Sequence, residues 1–183
     1  MYENFADNIL LIGHKTRLTM LIELSSGKAL PAGELAKLAG VKPQTASEHL
    51  SKLVEANLIS VNTWGRHRYY KIDNDKVVDA INALAVISPP MNSKSLKETT
   101  KKEKLSYCRT CYGHIAGKVG VEFTDSLLRN DYLEECEGYY KLTENGKVWL
   151  GQLGLETERN LYTKPIPKHL DWTERKYHIA GPI

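Results

Sequence analysis

Residues 42 to 52, "KPQTASEHLSK", place side-chain amides and hydroxyls between apolar positions, Ala46, Leu50, Leu53 and Val54, that recur at spacings of three and four. A helix turning 100° per residue sends those apolar groups to one side. Gln44, Ser47, Glu48, Ser51, Lys52 and Glu55 then face the other way, with Thr45 at the edge. Such groups near a helix N-terminus are suited to base edges in the DNA major groove, where Gln pairs with adenine and Ser or Thr with several bases. A short distance on, Arg66, His67 and Arg68 fall together at a turn, with Lys71 beyond. That compact positive group suits phosphate oxygens or the minor groove. Taken singly, the first set reads as a solvated helix face and the second as a solubilising turn. Together, base readers beside phosphate binders are what DNA recognition requires. Lys42, His49 and Arg17 complete the candidate contacts, His49 as a packed or phosphate-contacting group and Arg17 as a backbone phosphate contact.

A second stretch, "CRTCYGH", raises metal chemistry. Cys108, Cys111 and His114 offer two thiolates and an imidazole to a soft ion. The same spacing fits small residues on an apolar helix face, and that core reading is favoured because free Cys is among the most buried residue types. A cysteine nucleophile with His114 as its base lacks a third orienting group. The expectation is a protein that is not an enzyme and needs no cofactor.

The elements that must position these residues follow from periodicity. Apolar residues Phe5, Ile9 and Ile12, then Leu18, Leu21, Ile22 and Leu24, predict two helices broken at Gly13. "SSGKALPAGELAKLAG" supplies a turn, a proline near a helix start, and a short apolar stripe ended by Gly40. With the recognition segment, residues 43–56, only a few positions later, this is a helix-turn-helix. "LISVNTWGRHRYYKI" alternates about a turn at Trp64 and Gly65, which predicts a hairpin over 59–72 with Trp64 as a wing anchor. A last helix follows in "DNDKVVDAINALAVIS", capped by Asp or Asn, with Val77, Val78, Ile81, Leu84 and Ala85 apolar.

"GHKTRLTMLIEL", "GELAKLAGVKPQTASEHLSKLVEANLI" and "GRHRYYKI" resemble the ArsR-type winged-helix transcriptional repressors across about residues 5 to 88. The resemblance rests on a Thr-Arg pair, a T-x-S-x-H-L recognition helix and a G-R-x-x-Y-Y wing, in order. It implies a homodimer that binds double-stranded DNA and releases its operator on meeting an inducer. Two departures stand out. Glu48 is acidic where a basic residue is common, and residues 31 to 60 contain no cysteine, so the metal box of the family's metal sensors is missing. The apolar surface of the first helix and of the helix after the wing predicts the dimer interface.

Residues 89–104, "PPMNSKSLKETTKKEK", read as a linker between a domain at 1–88 and a smaller one at 105–183. From Leu105 a helix is expected with Cys108, Cys111, Tyr112, Ile115 and Val119 on one face. A helix, a hairpin turning near Gly138 and a helix capped at Thr143 follow. The fold class is therefore mainly α with small β-hairpins: a winged helix-turn-helix domain, then a winged-helix-like α+β domain for sensing or interaction. Its hairpin is acidic, with Glu134, Glu135 and Glu137, which favours a protein surface over DNA and keeps open a winged-helix interaction module, or a thiol or metal sensor using Cys108 and Cys111. "YGHIAGKVG" at 112 is echoed by "YHIAGPI" at 177. Longer ArsR-type regulators look similar through "RTCYGHIAGKVGV" and "LDWTER" and continue beyond, which predicts a chain shortened at its end.

The 183 residues are 42% hydrophobic and 26% charged, with a net charge of +3. That excludes a disordered or fibrous chain and permits an anionic partner. An acidic start and no long apolar run predict a cytoplasmic protein with no membrane partner, and three cysteines argue against a disulfide framework.

Overall fold

The computed structural model describes residues 2–89, 96–111, 113–155 and 164–180. They pack as two compact units, Met1–Ile81 with Cys111–Gly113, and Asn82–Thr110 with His114–Ile183. Among the described residues no helix is long and apolar enough to cross a membrane.

In the first unit, α1 (Glu3–Gly13) and α2 (Lys15–Leu24) part at Gly13, as their periodicity predicts. His14 stands between them and caps α2, its Nδ1 accepting from the Thr16 N–H at 3.2 Å. After β1 (Leu30–Pro31) come α3 (Ala32–Ala39), α4 (Pro43–Glu55), and the hairpin of β2 (Ser60–Trp64) and β3 (His67–Lys71). The sheet is antiparallel in the order β1-β3-β2, with Tyr70 opposite Leu30 on one side and Val61 on the other. α5 (Asp75–Ile87), which runs past the end of this unit at Ile81, opens on Asn74, whose side chain accepts from the Lys76 N–H at 3.0 Å. This is the winged helix-turn-helix the sequence predicts. Met20, Leu21, Leu24, Leu35, Leu50 and Leu53 are fully buried and join α2, α3 and α4 in one core. Each such side chain contributes about 1.5–3 kcal/mol relative to an exposed one.

The second unit holds α6 (Leu96–Tyr107), β4 (Arg109–Cys111) up to Thr110, β5 (His114–Ala116), α7 (Lys118–Arg129), β6 (Leu133–Cys136), β7 (Tyr139–Leu142), α8 (Glu144–Gln152), β8 (Ile166–Asp171) and β9 (Lys176–Ile179). Two expectations are corrected here. The segment read as a linker carries α6 from Leu96 onward, while residues 90–95 lie outside the described ones. The helix expected from Leu105 through Val119 ends at Tyr107 and gives way to the paired strands β4 and β5, so Cys108, Cys111, Ile115 and Val119 share no helical face; Tyr112 lies outside the described residues. The physical reason is backbone: Gly113 and Gly117 hold φ of 92° and 80°, which a right-handed helix does not accept. At Gly117 a Cβ would also stand 2.7 Å from the Ser106 carbonyl oxygen.

The helix, hairpin and capped helix expected further on are present as α7, β6–β7 and α8. Thr143 caps α8 by accepting from the Gly146 N–H at 3.0 Å. Strands β8 and β9 extend the hairpin into a sheet of order β6-β7-β8-β9. Leu127, Leu133, Tyr140, Leu142, Leu150, Ile166 and Ile179 form its core. The acidic hairpin is partly matched, since Lys168 reaches Glu135 at 2.7 Å and lies 4.7 Å from the centre of the Tyr140 ring.

One buried carboxylate ties the β8–β9 turn to distant segments. Asp171, fully buried, accepts from Arg109 Nη2 at 2.9 Å, the Gly117 N–H at 2.6 Å, the Thr173 N–H and hydroxyl at 2.9 and 2.7 Å, and the Glu174 N–H at 3.1 Å. Burial alone raises a carboxyl, but the Arg109 charge and these hydrogen bonds outweigh it and hold Asp171 at about 2. Replacing Arg109 strands that charge in the interior. Arg109→Ala is expected to lower stability by about 3–5 kcal/mol, read as a fall in the urea midpoint by circular dichroism. A wild-type midpoint would show that the donors from Gly117, Thr173 and Glu174 suffice.

Candidate nucleic-acid interface

The turn between α3 and α4 is set by Gly40, left-handed at φ 67° and ψ 34°. Its N–H bonds the Lys37 carbonyl at 3.3 Å, and the Val41 N–H reaches back to Ala36 at 3.0 Å, the paired bonds of a glycine-terminated helix. Lys42 is extended, and Pro43 begins α4 where its missing N–H costs nothing. Ala46, Leu50 and Leu53, all fully buried, then fix the rotation of α4 about its axis. The opposite face is exposed at Lys42, Gln44, Ser47, Glu48, Ser51 and Lys52, with Thr45 half-buried at its edge. The Ser47 hydroxyl donates back to the Pro43 carbonyl at 3.1 Å, which leaves its oxygen to accept from a partner.

The wing turns over Gly65 and Arg66, because Trp64 pairs with His67 in the β2–β3 register. Gly65 at φ 61° supplies the left-handed first position that a two-residue hairpin turn demands. Arg66, His67 and Arg68 are exposed. Trp64 is 84% exposed, so it does not anchor the wing as expected. Lys71, at the end of β3, already sits 2.6 Å from Asp73.

A family model described as a helix-turn-helix domain matches residues 12–62, which covers α2, α3, α4 and the start of the wing. Over its whole length the chain is similar to an uncharacterized HTH-type transcriptional regulator, YdfF, of Bacillus subtilis (strain 168), at 42% identity across 185 residues and 82% of that protein. The chain belongs to the helix-turn-helix transcriptional regulators. The ArsR-type, DNA-binding character expected of its winged helix agrees with that membership. Among solved structures, this regulator is similar to NolR from Sinorhizobium fredii at 30% identity and a TM-score of 0.43, over 45% of this chain and 82% of that one. It is also similar to a predicted DNA-binding transcriptional regulator from E. coli at 28% identity and a TM-score of 0.42, over 47% and 90%.

Of the candidate contacts, Arg17 sits elsewhere than expected and His49 takes the packed one of its two expected places. Arg17 is buried. Its Nε donates to the Leu11 carbonyl at 2.7 Å and its Nη2 to the Leu10 carbonyl at 3.0 Å, so it caps the end of α1 instead of facing a phosphate. His49 is half-buried, with Nδ1 3.5 Å from Arg17 Nη1 and its ring 4.6 Å from that of His14. Burial, then the neighbouring His14, Arg17 and Lys52, push His49 below its ordinary value against the opposing pull of Glu48. The ring packs beside the Arg17 guanidinium.

The cysteine and histidine candidates of the second stretch also separate. Cys108 is exposed and stands apart, whereas Cys111 and His114 come together with His169 and His178, two residues that sequence reasoning missed. One ligand-capable atom from each lies within 4.8 Å of all the others. The signal that could have found His178 is the repeated "HIAG", which makes it the counterpart of His114.

Arg17→Ala should cost about 1.5–3 kcal/mol of stability, the worth of hydrogen bonds to a charged group, while the salt dependence of DNA affinity stays as in the wild type. The check is a denaturant melt beside a salt-titrated binding isotherm. A drop of one in the salt slope with an unchanged melt would put Arg17 on a phosphate after all.

Proposed function

We propose that this regulator is a homodimeric repressor that reads double-stranded operator DNA with residues 43–56 in the major groove and sets the 59–72 wing on the backbone or minor groove. One observation supports the reading above others. The exposed face of α4 carries uncharged hydrogen-bonding groups, Gln44, Ser47 and Ser51, within the same compact unit as an exposed cationic tip, Arg66 to Arg68. Base selection and backbone grip need these two chemistries side by side. Glu48 faces outward with them and would accept from a cytosine amino group or select against closely approaching phosphate.

The homodimer is supported by apolar surface on the first unit. Tyr2, Phe5 and Leu10 of the α1 region are exposed at 74%, 65% and 70%, and Ile9 at 46%. In the second unit, Leu84 and Ile87 at the end of α5 are exposed as well. A two-fold dimer covering such residues would present two recognition helices about 34 Å apart, one helical turn of DNA. The release of the operator by an inducer follows from the ArsR-type resemblance, and membership of a regulator family supports this role over an enzyme's.

Sequencing the DNA fragments retained by the purified protein supplies the operator, and variants then assign roles. Gln44→Ala or Thr45→Ala should relax base preference at one position, at a cost of about 1–3 kcal/mol for the preferred site. Arg66→Ala or Arg68→Ala should weaken every sequence and lower the salt slope by about one each. Indistinguishable effects in the two classes would mean the roles are misassigned, and a monomer in micromolar sedimentation runs would remove the dimer.

A further inference from the structure

We propose that Cys111, His114, His169 and His178 form a tetrahedral binding site for a zinc-class divalent ion. Two hairpins deliver the ligands in pairs. Cys111 ends β4 and His114 begins β5, and the pairing of those strands holds them together. His169 and His178 lie directly opposite each other in the β8–β9 register. His114, His169 and His178 belong to one compact unit, and Cys111 stands three residues before His114 on the strand paired with it.

The arrangement is costly as plain core. Cys111 is 4% exposed, His169 8% and His178 not at all. Among the described residues neither ring nitrogen of His178 has a hydrogen-bond partner, and a carboxylate oxygen of Asp171 is 3.9 Å from its Nδ1. Buried polar groups in that condition cost free energy unless something binds them, and apolar residues of the same volume would fill the space without that cost.

Spacing and chemistry name the ion class. In a tetrahedral zinc site, with Zn–N near 2.0–2.1 Å and Zn–S near 2.3 Å, donor atoms stand about 3.3–3.7 Å apart. The four here lie within 4.8 Å of one another, so a contraction of about 1 Å closes the site. One thiolate with three imidazoles and no carboxylate among the ligands selects a borderline-soft ion over magnesium or calcium. Asp171, held by Arg109, Gly117, Thr173 and Glu174, is the buried carboxylate that would accept the remaining ring N–H of His178 and orient it. Four protein ligands leave no open position, so the ion clasps the two hairpins together rather than performing chemistry. The repeated "HIAG" supplies one histidine to each hairpin, at His114 and at His178.

The test uses the full, untagged chain, stripped with a chelator and titrated with Zn²⁺ or Co²⁺. The expected result is about one equivalent bound per chain, with Co²⁺ giving tetrahedral ligand-field bands and a thiolate charge-transfer band. In the Cys108→Ser, Cys136→Ser double variant the sole thiol is Cys111, and zinc should block its reaction with a disulfide reagent. Cys111→Ser and His178→Gln should each weaken zinc by more than the roughly 10–100-fold that an outer partner is worth. No metal retained, a cobalt spectrum without the thiolate band, or loss of zinc protection in the double variant would each overturn the site. If Cys111→Ser fails to fold, the double variant still decides, and none of these readouts depends on DNA binding.

Discussion

The rotation of α4 about its own axis is the constraint on which recognition depends. Ala46, Leu50 and Leu53 recur every three or four residues and are fully buried, so the helix can seat on the core in only one angular setting. Gln44, Ser47 and Ser51 are then outward by geometry. Gly40 fixes the other end of the problem, because a left-handed residue stops α3 and lets the chain turn within three positions. An L side chain at that φ would strain the turn, and with it the angle between the helices. Arg17 adds a third restraint by closing the last carbonyls of α1 while its guanidinium lies against His49 on α4. Base-reading groups and the core that aims them are therefore parts of one object.

The second unit is organised by the opposite means. Where α4 is clocked by apolar burial, the β8–β9 turn is held by the Asp171 carboxylate and its donors from Arg109, Gly117, Thr173 and Glu174. A hydrophobic contact tolerates sliding by a fraction of an ångström, but a buried carboxylate with several charge-assisted or backbone partners does not. That rigidity suits a segment whose flanking residues, His169 and His178, must meet two others of a distant hairpin. The cost of the arrangement is sensitivity, since losing one partner exposes the charge to a low-dielectric interior.

Legibility followed the range of the interactions involved. The first unit was readable almost throughout because its signals are local: a glycine at a helix end, a proline at a helix start, apolar spacings of three and four, alternation about Gly65. Arg17 was misread for the same reason. A cation at a helix start faces solvent in a local view, and only the neighbouring end of α1 reveals the carbonyls that claim it. Trp64 was expected to anchor the wing, yet nothing in a hairpin pattern says which strand face the rest of the unit covers.

The stretch from Cys108 to Val119 shows how periodicity misleads. Spacings of three and four among Cys108, Cys111, Ile115 and Val119 mimic a helical stripe, while Gly113 and Gly117, the residues that forbid the helix, are silent in a count of apolar positions. Gly113 lies in the turn between the paired strands and Gly117 at the start of α7, and the group that Cys111 joins does not include Cys108. The group that does assemble is separated by more than fifty residues in sequence, which no window of helical length can register. What the chain offers instead is repetition: the same "HIAG" after each of two segments, in each case with a second metal-ligating residue upstream, Cys111 before the first and His169 before the second. Each copy contributes one histidine to the group, His114 from the first and His178 from the second.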